Sequence, residues 1–92
     1  MASRPTKSKH QTFSITAPDA MTVALVGDFT NWQEKPIQLK KAGGGVWSVA
    51  VELTPGTHRY RFIVDGQWSE DPDCALRAPN PYGTQDSIRQ VA

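Results

Sequence analysis

Cysteine occurs once in the 92 residues, as Cys74, and histidine twice, as His10 and His58. One thiol closes no intrachain disulfide, and these three side chains are too few for a multi-cysteine or histidine-rich metal site. No metal or cofactor is therefore expected. A fold without staples fits a reducing compartment, and a cytoplasmic setting is the expectation. Net charge is nearly absent as well, at +1. A nucleic-acid binder ordinarily concentrates basic residues on one surface, so that class is disfavoured. No apolar run approaches the roughly 20 residues of a membrane span, so no membrane partner is expected. Residues 1–9, M-A-S-R-P-T-K-S-K, lack the apolar stretch of a signal peptide and read as a disordered basic tail.

Catalytic spacings are missing too. The chain has no nucleophile elbow, no phosphate-binding glycine loop and no zinc spacing. Nine acidic residues are present, but a glycosidase would need two of them flanking a bond in a cleft, and a domain this small has little room for one. Glu70-Asp71-Pro72-Asp73 lacks the spacing of a calcium loop and reads as a solvated turn. Cys74 reads as a small buried residue, and His58 as a core or edge histidine.

What the chain does have is punctuation. Seven prolines and seven glycines divide it into short β-branched and aromatic runs, without a convincing helix. This predicts one all-β domain over residues 10–92, an antiparallel sandwich of short strands. The expected strands are His10–Thr16, Met21–Gly27, a short edge strand Ile37–Lys40, a strand with Trp47, Val49, Val51 and Leu53 on one face, Thr57–Val64 and Ser87–Val91. Phe13, Ile15 and Trp47 are expected in the core. In Thr57–Val64, the residues His58, Tyr60, Phe62 and Val64 share one face, and Arg59, Arg61 and Ile63 the other. A long loop, Ser69–Thr84, precedes the last strand, and loops of that length are usually functional or disordered.

The centre of the reading is Val23–Trp32, V-A-L-V-G-D-F-T-N-W. It begins as a half-buried strand, relies on Gly27 for unusual backbone angles, and breaks into a turn of Asp28, Thr30 and Asn31. Trp32 follows the break. Trp68 follows another turn, Asp65-Gly66. Each ring either packs down as a loop anchor or faces a ligand, and the polar neighbours of Trp32 favour the second. Arg61 alone reads as a solvated strand residue, with donation to sugar hydroxyls as the alternative. Two flat rings beside fixed donors suit a sugar, whose C–H face stacks while its hydroxyls seek partners.

In this order, the segments G-x-F-x-x-W and Y-x-F-x-V-D-G-x-W, followed by N-P-Y-G-T-Q-D-S, resemble carbohydrate-binding module family 48. The resemblance runs from about Phe13 to Val91. It implies an immunoglobulin-like, early-set β-sandwich that binds α-1,4-glucans: glycogen, starch, maltooligosaccharides and cyclodextrin. By this resemblance Trp32 and Trp68 clamp the glucan, and Arg61 stands where kinase-type members carry lysine. Tyr82 stands for a leucine on the late loop, and Thr84 matches a threonine. Asp86 replaces an asparagine that bonds the sugar, keeping an acceptor but losing the amide donors. Asn80 is expected to hold the loop. The implied role is non-catalytic targeting of a partner or attached activity, such as a catalytic domain, a kinase or a hydrolase. Two alternatives stand beside it: a structural accessory domain of a branching or debranching enzyme, and a protein-interaction scaffold.

Overall fold

The structure, a computed structural model, describes residues 9–92. The basic tail expected over residues 1–9 thus lies outside the described residues, except for Lys9, which already pairs with Leu53. Nine strands run in order: β1 (Lys9–Thr16), β2 (Val23–Gly27), β3 (Ile37–Gln38), β4 (Lys40–Lys41), β5 (Val46–Leu53), β6 (Gly56–Val64), β7 (Gln67–Ser69), β8 (Arg77–Pro79) and β9 (Gln85–Val91). All pairings are antiparallel. One sheet has the order β1-β5-β4, the other β3-β2-β6-β9-β8, with β7 added to β6. The helical residues described form only single 3-10 turns. This is the all-β sandwich expected.

The core lies between the sheets and follows the two-residue side-chain period. Phe13 and Ile15 point inward from β1, Trp47 and Leu53 from β5, and Tyr60 and Phe62 from β6. The Phe13 and Tyr60 rings meet edge to face at 4.8 Å, a favoured aromatic geometry. Trp47 keeps its indole N–H satisfied by donating to the Ala17 carbonyl at 3.0 Å. Arg89 of β9 crosses between the layers. Its guanidinium sits 4.1 Å from the Phe13 ring centre and donates to Gln11 Oε1 and to the Thr12 carbonyl, both at 3.1 Å.

Four local expectations change. The strand expected over Ile37–Lys40 divides at buried Leu39: β3 pairs with β2 in one sheet and β4 with β5 in the other. Pro36 precedes this crossing, and pairing on each side is only two residues long. The loop expected over Ser69–Thr84 holds the end of β7 and all of β8. All of β2 is buried, not half of it. Gly27 has φ −176°, which any residue adopts. Its necessity is room, because a Cβ there would lie 2.4 Å from the Arg59 carbonyl oxygen.

Asp71 also departs from the solvated turn expected. It is only 6% exposed. Its carboxylate accepts from the Tyr60 hydroxyl at 2.6 Å and from the Asp73 N–H at 3.0 Å. Burying a carboxylate is tolerable only with such donors. Burial, followed by the bond to Asp71 and the nearby Cys74, raises the Tyr60 phenol well above its ordinary value.

Two outcomes are expected. Trp47→Ala should destabilise the domain by about 3–5 kcal/mol in urea unfolding, as large core aromatic truncations do. Tyr60→Phe should cost about 1–3 kcal/mol at neutral pH, because a buried carboxylate loses a donor. The pH dependence has a definite sign. The folded state holds the phenolic proton more tightly than the unfolded chain, whose tyrosines ionise near pH 10. That stabilisation is full below about pH 10 and falls away above it. Urea midpoints measured on either side of pH ~10 should therefore fall less steeply in Tyr60→Phe than in the wild type.

Candidate functional site

The outward face of β6 and its neighbours carries the candidate site. Cross-strand partners share a face. Trp68 pairs with Ile63 and so joins Arg61 and Arg59, away from the core side chains Tyr60 and Phe62. On β9, Ile88 opposes Arg59 and Ser87 opposes Tyr60. Asp86 therefore belongs to the face of Arg59 and Arg61.

Trp32 reaches this face through an unusual turn. After β2 the chain makes two 3-10 turns, Asp28–Thr30 and Trp32–Glu34. Between them Asn31 and Trp32 have φ 55° and 57°. Asparagine tolerates the left-handed region. For a bulky side chain this conformation is a true outlier, costing roughly 1–2 kcal/mol, and such residues cluster at functional sites. Thr30 holds the turn. Its buried hydroxyl accepts from the Gly27 N–H at 2.9 Å. It also lies 3.0 Å from the Gly27 carbonyl and 2.8 Å from that of Trp32, one of which takes its proton. Asp28 ties the turn to β6 by accepting from the Arg59 N–H at 3.1 Å.

Trp68 is set by a hairpin. Asp65 and Gly66 have φ 50° and 82°, the pair of positive angles that a tight two-residue hairpin requires. The Asp65 carboxylate accepts from the N–H groups of Met21 and Thr22 at 2.7 and 2.9 Å. The Trp32 and Trp68 ring centres come within 6.4 Å, tilted by 40°. Trp68 remains 41% exposed. The Arg61 guanidinium lies 5.5 Å from the Trp68 ring centre, within cation–π range. Arg61 also donates to Thr84 Oγ1 at 3.3 Å.

The third part is the loop 80–84. Asn80 N–H donates to the Thr84 carbonyl at 3.0 Å. Asn80 Oδ1 accepts from the N–H groups of Tyr82 and Thr84. Tyr82, at the tip, is 88% exposed. The structure thus gathers Trp32, Arg61, Trp68, Asn80 and Thr84 from three segments into one connected surface, with Tyr82 projecting beside it. Asp86 is different. It adjoins the same network but is only 4% exposed, with its carboxylate facing Asn80 and Arg59.

Two residues of this assembly had no sequence reading as site residues. Thr30 looked like an ordinary turn former, although the latch needs its hydroxyl. Arg59 had no reading beyond its place on the strand face it shares with Arg61, and that shared face was its only signal. The surface offers stacking rings, hydroxyls and a guanidinium. These are tools for binding a polar molecule with apolar faces.

A model of the glycogen recognition site of AMP-activated protein kinase matches residues 10–91. Among curated proteins the chain is 44% identical over 63 residues to "Protein PTST homolog 2, chloroplastic" of Arabidopsis thaliana, covering 67% of this chain and 12% of that protein. It is 35% identical over 69 residues to the 5'-AMP-activated protein kinase subunit beta-1 of Rattus norvegicus, covering 75% and 24%. It is 32% identical over 79 residues to a 1,4-alpha-glucan branching enzyme GlgB of Synechococcus sp. (strain JA-2-3B'a(2-13)), covering 84% and 10%. The chain therefore spans only about a tenth to a quarter of the length of these relatives.

Replacing Thr30 by valine should lower stability by about 1–3 kcal/mol, since the buried Gly27 N–H loses its acceptor. The same change should alter the tryptophan emission of the folded protein, as Trp32 leaves its turn. Unchanged emission together with unchanged stability would show that the turn stands without the latch.

Proposed function

The chain belongs to the family of the glycogen recognition site of AMP-activated protein kinase, and from that premise we propose that it binds α-1,4-glucans without catalysing their conversion, through the face that carries Trp32 and Trp68. The observation that carries this reading is the approach of those two rings to 6.4 Å beside Arg61 and Thr84. An α-1,4-linked glucan curves, so successive sugar faces do not lie in one plane. Rings tilted by 40° suit it better than a flat β-1,4-linked ribbon. In the proposal the indoles take the C–H faces, Arg61 and Thr84 serve the hydroxyls, and Asn80 holds the loop that carries Thr84. Tyr82 closes against the chain from the loop tip.

Affinity in this reading is weak. Fully burying a large apolar side chain contributes roughly 1.5–3 kcal/mol, and ordering a flexible sugar opposes it. Micromolar to millimolar binding, about −8 to −4 kcal/mol, is the range to look for.

The binding domain would bring a partner or attached activity to the polysaccharide. A kinase complex is one such partner, by likeness to the beta-1 subunit. The recognised unit is the same in cytoplasmic glycogen and in plastid starch, so the proposed activity suits either store. A second reading, an accessory domain packed against a branching enzyme's catalytic part, is favoured by the Synechococcus relative. Sugar binding by the isolated chain separates the two.

Calorimetric titration with β-cyclodextrin and maltoheptaose, with cellohexaose as control, is the test. The α-glucans should bind and cellohexaose should not. Trp68→Ala and Trp32→Ala should each lose most of the binding while remaining folded by circular dichroism. A folded wild type that binds no sugar would overturn the proposal in favour of the accessory or scaffold reading.

A further inference from the structure

Asp86 stands at the start of β9 with both carboxylate oxygens engaged. Oδ1 accepts from Asn80 Nδ2 at 2.9 Å. Oδ2 accepts from the Arg59 guanidinium at 3.3 Å. The same Arg59 nitrogen donates to the Pro79 carbonyl at 3.3 Å, so one cation holds both the carboxylate and the backbone just before the loop. A buried carboxylate with two such donors has a specific orientation to impose.

Asn80 passes that orientation on. With Nδ2 directed at Asp86 and at Thr84 Oγ1 (2.8 Å), its Oδ1 is turned to the N–H groups of Tyr82 and Thr84 at 3.0 and 3.2 Å. The side chain of Asn80 thereby replaces the partners that water would give a mobile loop. The relay ends on the exposed Tyr82 ring and on the Thr84 hydroxyl that Arg61 reaches.

We infer that Asp86, held by Arg59, is a positioning residue: it touches no sugar and acts through Asn80 to preform the loop carrying Tyr82 and Thr84. Its effect on affinity rests on the glucan reading above; its effect on the loop does not. This differs from the sugar contact that the resemblance implied for Asp86. It also accounts for a carboxylate at this position. Two donors face it, and an asparagine offers only one acceptor while turning an N–H towards a donor.

The two roles predict opposite results for Asp86→Asn. A sugar-contacting residue would regain amide donors, and affinity would hold or rise. A positioning residue would lose one of its two acceptors, and affinity would fall. The experiment uses the full chain and two readouts: amide hydrogen exchange of the sugar-free protein by NMR, and β-cyclodextrin affinity by calorimetry. In Asp86→Asn the Tyr82 and Thr84 amides should exchange about tenfold faster, with β5 amides unchanged, and affinity should drop about tenfold. Arg59→Met should move both readouts the same way, and it carries the test if Asp86→Asn does not fold. Unchanged exchange at Tyr82 and Thr84 overturns the inference whatever the affinity does. Faster exchange with undiminished affinity overturns the functional half. A wild type that binds no β-cyclodextrin refutes the glucan reading instead, and the exchange rates still decide whether Asp86 orders the loop.

Discussion

Strand β6 is hydrogen-bonded to β2, β7 and β9, and its two-residue side-chain period settles what the rest of the chain can do. Tyr60 and Phe62 go to the core, and Arg59, Arg61 and Ile63 go to the opposite face. A slip of one residue would exchange the two sets, placing guanidinium groups among aromatic rings. The register is therefore held from several sides. Asp65-Gly66 sets the turn into β7. The Asp65 carboxylate binds that turn to the approach to β2. Gly27 lies so near the Arg59 carbonyl that no side chain fits. Core and site thus share one constraint, and neither can be shifted without the other.

That shared constraint explains how much could be read from the sequence. Alternation in β1, β5 and β6 is periodic and local, so the sandwich and its core were legible. The two tryptophans were legible as unburied by strand phase, and the resemblance assigned them a role. The exceptions are residues whose state depends on distant partners. Asp71 looked like part of a polar turn, yet its donor Tyr60 lies eleven residues away. Asp86 is held by Arg59, 27 residues earlier. Nothing near either acid announces its burial. Leu39 is similar: whether a short run continues one strand or crosses between sheets depends on where the other strands lie. Thr30 had its signal within three residues, but many turn threonines make no such latch.

The polar groups are arranged in tiers beneath the exposed surface. Thr30 supports the backbone of Trp32, Asp65 the hairpin of Trp68, and Asn80 the tip bearing Tyr82. Each uses a short side chain to satisfy backbone N–H groups that a loop would otherwise leave to water. This is costly in one place, the left-handed Trp32, and the latch at Thr30 offsets that cost locally. On this reading the surface is ordered before any ligand arrives, which reduces what binding must expend on ordering the protein.

Preorganisation and weak affinity are compatible in the proposed function. Ordering the protein in advance leaves the ligand's own flexibility as the main opposing term, and that term cannot be removed from the protein's side. A polysaccharide, however, presents the same unit many times. A module that releases one unit remains close to the next, so retention at the polymer depends on local concentration more than on single-site affinity. In the proposed role the domain keeps an attached activity near its polymer while letting it move, and tight binding at one site would defeat the second requirement. In the proposal the tilted, half-exposed ring pair gives enough contact to orient a glucan and too little enclosure to trap it.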